Sequence, residues 1–191
     1  AQMKCSIIDI DGLALLNCLK TFAKDLEFPA AVLDIGHSFT TFGIIGENNL
    51  PFVRDIAHGG SDICDVISAE NHLSFETTMS VLKGEQVPPV SRLDINKSLE
   101  KTTKKLASDI SESIRFYKAT EKSEPPRTIY ICGGFALTNG LAEHHDKNIE
   151  PKVILWNPFA GIKIENESCQ QLFENMGPAF AVSAGLALRK V

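Results

Sequence analysis

The stretch Asp34-Ile35-Gly36-His37-Ser38-Phe39-Thr40-Thr41 decides the fold. It closes the apolar run AAVLDIG (30–36), which reads as a strand ending in a glycine turn, and it opens TTFGII (40–45), a second strand. A tight turn of this kind aims backbone N–H groups and hydroxyls at an anion, and the aspartate before it is placed to hold a hydrated Mg²⁺. The same residues also suit an ordinary strand end, where threonine favours β structure. PFVRDIA (51–57) is a third strand. Glu47-Asn48-Asn49 joins it to the second, and asparagine tolerates the left-handed backbone angles of a hairpin.

A second glycine element stands about a hundred residues on, where TIYICGG (128–134) runs into Phe135 and Ala136, with Asn139-Gly140 beyond. Glycines let a backbone approach a ligand closely, and a following helix N-terminus favours phosphate oxygens. Between the two elements, Ser61 opens one helix, and Ser74 caps another that ends near Lys83-Gly84. Pro88-Pro89 marks a loop. Asp94 starts the longest helix, with Ile95, Leu99, Leu106, Ile110, Ile114 and Tyr117 at helical spacing. Thr138 to Asp146 reads as a short helix, KVILWN (152–157) as a strand, and Ser168 to Met176 as a helix. The closing AFAVSAGLAL is apolar nearly all round and so reads as buried. At the other end, KCSIIDI (4–10) reads as a strand, and Asp11 as the cap of a helix carrying Leu13, Leu16, Leu19 and Phe22. A meander followed by alternating helices and strands predicts a mixed sheet.

The composition narrows the function classes. The chain has 191 residues, 43% of them hydrophobic and 23% charged, as in ordinary globular proteins. A net charge of −5 with dispersed lysines argues against a nucleic-acid binder. Five scattered cysteines, with no CxxC pair, fit a reducing cytosol better than a disulfide framework. No apolar run approaches the roughly 20 residues of a bilayer span, which predicts no direct membrane insertion. His144-His145 reads as a solvated helix end, and Trp156 as a packing anchor beside Pro158.

The order of these motifs resembles the ribonuclease-H-like core of the actin-like ATPase superfamily, an α/β fold with a mixed five-stranded sheet flanked by helices. Finer detail is similar to the PilM family of type IV pilus assembly proteins: IIDIDGLALLNCL, DIGHSFTT, RDIAHGGSDI, LSFETTMSVLKGE, CGGFALTNGL, WNPFAGIKI and GPAFAVSAGLALRK. Together these segments cover nearly the whole chain. The resemblance implies ATP and Mg²⁺ as ligands. Asp34, Gly36, Ser38, Thr40 and Thr41 would lie at the phosphates, with Asp34 holding Mg²⁺ through water. Lys83, Gly133, Gly134 and Phe135 would lie at the nucleoside. It implies at most a weak ATPase, cytoplasmic and peripheral to the inner membrane. Its partners would be a PilN-like bitopic inner-membrane protein and the pilus motor and platform proteins. An FtsA-like cell-division or secretion-platform homologue, or a small-molecule kinase of the same fold, is the alternative.

By the same resemblance the chain is the second half of such a protein. Residues 1–27 would be a remnant of the first domain with its connecting helix, 28–177 the second domain, and 178–191 the closing connecting helix. Two departures bear on binding. His37 and Ser38 carry side chains where related hairpins have glycine, which predicts less room for a phosphate. Met79-Ser80 stands where the superfamily has Ala-Glu. The two end helices are expected to cross, with Ala14 near Ala181, Ser183, Ala184 or Gly185. Leu13, Leu16, Leu19 and Leu188 then risk exposure, which predicts either a homodimer or a repositioning of the first 27 residues.

Overall fold

Strand alternation sorts side chains to two faces, and here both faces are covered. A computed structural model describes residues 7–23, 26–85 and 92–189, with 92–94 through their backbone alone. Five strands, β1 (Ala30–Ile35), β2 (Thr40–Ile45), β3 (Pro51–Ile56), β4 (Thr128–Cys132) and β5 (Lys152–Leu155), form one sheet in the order β3-β2-β1-β4-β5. The β1–β2 and β2–β3 pairs are antiparallel, while β1–β4 and β4–β5 are parallel, so the sheet is mixed as the sequence predicts.

Because successive residues point to opposite faces, Ala31, Leu33 and Ile35 of β1 join one core with Phe42, Ile44, Ile129 and Ile131. Helices α2 (Gly60–Asn71), α3 (Phe75–Leu82), α4 (Arg92–Glu121) and α5 (Leu141–Asn148) supply most of the rest of that core. Ala30 and Val32 face the other way, into a second core with Cys132 and Trp156. There α1 (Asp11–Phe22) lays Leu15, Leu16, Cys18 and Leu19 on the sheet, beside α7 (Ala181–Ala187). Helix α6 (Glu167–Met176) precedes α7 and buries none of its own residues.

Several expectations need correction. Residues 7–10 form no strand, and 4–6, with Pro88 and Pro89, lie outside the described residues. Asp11 does not cap α1: Ile10 is its N-cap, and Asp11 sits in the first turn, where a carboxylate suits the helix dipole. Helix α4 begins at Arg92 rather than Asp94. Residues 135–137 form a 3₁₀ turn, so α5 starts only at Leu141. Only Ala181 and Gly185 of α7 are buried, because a helix touching the molecule along one line needs no more. Leu16 and Leu19 do not face solvent: the sheet covers them, although Ile8, Ile10 and Leu186 remain exposed.

The crossing of the end helices is as close as the small residues predict. A Cβ on Gly185 would stand 1.9 Å from the Ala14 carbonyl oxygen, so the backbones touch. Arg189, just past α7, pairs with Asp9, just before α1, and holds the crossing from its open side. Gly185→Ala is expected to cost about 1–3 kcal/mol through overpacking, read as a lower midpoint of thermal unfolding. Ser183→Ala, exposed on the same helix, should leave the midpoint unchanged; equal midpoints for both would mean that the helices stand further apart.

Candidate functional site

The carboxyl ends of β1 and β4 lie side by side, with Asp34 paired to Cys132 in the parallel ladder. This brings the two sequence motifs to one edge of the sheet. Asp34 shares the face of Ala30 and Val32, toward α1, and its carboxylate meets the backbone of the glycine turn. Gly133 has φ +98°, and a Cβ on it would stand 2.3 Å from Asp34 Oδ1. Glycine is therefore required there twice over, by backbone angle and by space. The Gly133 N–H donates to the Pro178 carbonyl at 2.9 Å, which ties the turn to the segment leading into α7. Gly134 is different: nothing lies within 4 Å of a Cβ built on it, and it is exposed at the edge.

The hairpin beside it is held from behind by the start of α2. The Gly60 N–H donates to the Gly36 carbonyl at 2.9 Å, and the Ser61 N–H donates to the His37 carbonyl at 2.7 Å. The Ser61 hydroxyl donates to the same His37 oxygen at 2.9 Å. Within the turn, the Gly36 N–H donates to the Phe39 carbonyl at 3.1 Å. Neither His37 nor Ser38 adopts a positive φ, so side chains at these positions bring no backbone strain. The His37 ring stands edge-on to Phe75 of α3, with centroids 6.3 Å apart.

Not every residue assigned to a ligand faces one. The Thr40 hydroxyl donates to the His58 carbonyl at 2.7 Å, and that of Thr41 to Asp55 Oδ1 at 2.8 Å. Both threonines are buried and stitch the hairpin to its neighbours. Phe135 is buried too, its ring pressed on Gly60, where a Cβ would meet it at 2.1 Å. It joins the glycine turn to α2 from inside the core. Lys83 is exposed at the C-cap of α3, beside Asn139, whose N–H donates to the Leu82 carbonyl. A cavity of about 350 Å³ opens there, lined by Val81, Leu82, Gly84, Leu99 and Asn139 among others. Two larger hollows, near 490 and 460 Å³, meet at Pro125 and Arg127 on the opposite edge and touch neither motif.

Electrostatics adds a residue that the sequence reading missed. Burial, and then the nearby Asp11 carboxylate, push the Asp34 carboxyl up to about 6 from its ordinary 3.8. Asp11, in the first turn of α1, thus raises Asp34 by its charge, and a divalent cation bound at Asp34 would relieve that cost. The motif IIDIDG held that possibility, but reading Asp11 as a helix cap hid it. His145 also departs from expectation. It is fully buried, neither ring nitrogen has a partner among the described residues, and burial lowers its pKa to about 4 from 6.5. Helix α5 turns this residue toward the core, so it is not a solvated end.

These two shifts have opposite consequences for stability. The Asp34 contribution is full below pH 3.8 and lost as pH rises through about 6. The His145 contribution is full above pH 6.5 and lost as pH falls toward about 4. Asp34→Asn should therefore make the ligand-free protein more stable by about 2 kcal/mol near pH 7.5, with little change at pH 4, read by denaturant titration. A loss of stability at pH 7.5 would contradict the strained carboxylate. Gly133→Ala should lower the unfolding midpoint, and Gly134→Ala should not.

Known proteins share this fold. The family model for the type IV pilus assembly protein PilM matches residues 1–191. Among solved structures, a PilM-PilN type IV pilus biogenesis complex is 24% identical with a TM-score of 0.74, over 96% of this chain and 52% of that one. Ethanolamine utilization protein EutJ from Carboxydothermus hydrogenoformans is 19% identical, TM-score 0.62, over 92% and 53%. The archaeal actin homologue Ta0583 in complex with ADP is 14% identical, TM-score 0.61, over 94% and 55%. The fold is that of actin-like ATPases, and the chain spans about half the length of these relatives.

Proposed function

The chain belongs to the PilM family of type IV pilus assembly proteins, and from that membership we propose that it forms one side of an actin-like clamp for ATP and Mg²⁺. The convergence of Asp34, the 36–39 hairpin and the Gly133-Gly134 turn on one sheet edge carries the reading. The His37 and Ser38 amides donate to no group among the described residues, which suits them to phosphate oxygens. Asp34, raised by burial and by the Asp11 charge, would hold Mg²⁺ through water. The cation would neutralise phosphate charge and relieve the cost of the buried Asp34 carboxylate. Lys83 and the exposed backbone at Gly134 would border the nucleoside, with the 350 Å³ cavity beside them. Gly36 shapes the turn, while Thr40, Thr41 and Phe135 fix the site's shape from behind.

The site is wired to the end helices. The glycine turn bonds Pro178, and the segment that follows becomes α7, which lies in backbone contact with α1. A ligand that orders the turn would therefore bias the α1–α7 crossing, which supports a switch set by occupancy rather than by turnover. In this reading residues 28–177 are the second domain, 1–27 and 178–191 belong to the hinge, and a first domain closes the clamp. Among the described residues no helix is long and apolar enough to cross a membrane. We read the protein as peripheral to the inner membrane, where the intact molecule grips the cytoplasmic tail of a PilN-like protein and meets the pilus motor and platform. Exposed Ile8, Ile10 and Leu186 would be covered by the first domain, or by a second copy of the chain where that domain is lacking.

Calorimetry tests the nucleotide half of this account. The intact protein should bind ATP in a Mg²⁺-dependent manner, and Asp34→Ala should remove most of that dependence. Residues 1–191 alone should bind ATP far more weakly, since one wall of the clamp is absent. Micromolar binding to the chain alone, or an Asp34→Ala variant with an unchanged response to Mg²⁺, would contradict the proposal. A pull-down with the PilN-like tail should succeed with the intact protein and be poor with this chain.

A further inference from the structure

We propose that the buried imidazole of His58 is an acid-sensitive catch on the start of α2. On taking a proton it draws the Asp62 carboxylate off the helix cap and so loosens the hairpin that the cap supports. The catch needs no nucleotide, and so stands apart from the reading above. Two buried rings without partners point to it. His58 is 4% exposed and His145 fully buried, and none of their four ring nitrogens has a hydrogen-bond partner among the described residues. Buried polar atoms are as a rule paired, so an orphaned ring calls for an explanation.

The moving part is Asp62. Its Oδ2 accepts the Gly59 N–H at 2.8 Å, which caps α2, and the same oxygen stands 3.9 Å from His58 Nδ1. A neutral ring leaves that oxygen to the amide, whereas an imidazolium competes for it with a full charge on both partners. The His58 backbone cannot make the approach. Its N–H donates to the Ile56 carbonyl at 2.7 Å, and its own carbonyl accepts the Thr40 hydroxyl at 2.7 Å. The Asp62 side chain is half-exposed and free to swing. The cap matters because the hairpin rests on it. A Cβ on Gly59 would stand 2.6 Å from the His37 carbonyl oxygen and from the Phe39 nitrogen. The next two amides, of Gly60 and Ser61, hold the Gly36 and His37 carbonyls.

The surrounding charges suit a catch that is shut at neutral pH. Burial lowers the His58 pKa below 6.5, against the pull of Asp62; on α4, Lys105 lowers it further and Asp109 raises it. For His145, on α5, burial comes first and then the like charges of His144 and His58, which together put it at about 4. His58, with a carboxylate in reach, is therefore the ring that takes the first proton, and its charge then opposes a second on His145. Its pKa is lower in the closed state than in an opened one. Closure is therefore complete above pH 6.5 and weakens as pH falls below that value.

Amide hydrogen exchange and imidazole NMR titration of the ligand-free protein test the catch. Between pH 7.5 and pH 5, the protection factors of the Gly59, Gly60 and Ser61 amides should fall by about threefold or more relative to those of β1, which report global opening. Asp62→Asn keeps an oxygen for the cap but removes the charge, so it should abolish the relative fall and lower the His58 titration midpoint. His58→Phe should abolish the fall as well, and if that variant does not fold, Asp62→Asn decides alone. A relative fall that persists in either variant would overturn the inference. So would a His58 midpoint that Asp62→Asn leaves in place, or a parent whose 59–61 amides follow β1 at both pH values.

Discussion

The contact between Gly133 and the Asp34 carboxylate is the constraint from which the rest of the site follows. It exists because β1 and β4 pair in parallel, so that strands far apart in sequence finish at the same edge. A parallel pair needs a long crossover, and the helices that supply it, α2 to α4, also build the larger core. With no Cβ at residue 133, the chain can turn over the carboxylate and reach back to Pro178. Site, crossover and the segment leading into α7 are therefore joined through one backbone position.

Asp34 is a load on the fold. A carboxylate that is largely buried, beside a second one, is a cost to the ligand-free protein. Nothing in the packing requires the charge, since an amide of the same shape would fit the space. On the proposed reading a cation binds there, and the carboxylate then becomes an anchor. The same logic separates the threonines from the hairpin tip. Thr40 and Thr41 have spent their hydroxyls on the protein, while His37 and Ser38 keep their amides for something else.

Much of the fold was legible in the sequence because the dominant forces are local and periodic. Apolar runs closed by glycine, proline and asparagine turns placed the five strands to within a residue or two, and Ser74 capped its helix as written. Both motifs were legible as glycines at strand ends, and the closeness of Ala14 to Gly185 as small residues on two helices. What escaped was set by tertiary contacts. Asp11 looked like a cap, although its importance comes from a strand twenty residues on. His145 looked solvated because two polar residues in a row suggest a surface, whereas its position on α5 turns it inward. Phe135 looked like a ligand contact because it follows the glycines, yet the gap left by Gly60 draws its ring into the core. The apolar closing helix looked buried because composition cannot show how narrow its contact is.

The central claim is that the ligand edge is the one formed by Asp34, the hairpin and the glycine turn. The most direct measurement is an amide NMR titration of ¹⁵N-labelled protein with ATP and Mg²⁺, using saturating ligand to offset weak binding. The account predicts shifts concentrated at residues 36–39, 83–84 and 133–140, with smaller ones at the start of α7. Shifts centred on Arg127, Thr128 and Glu150 at the opposite edge, or no shifts at all, would contradict it.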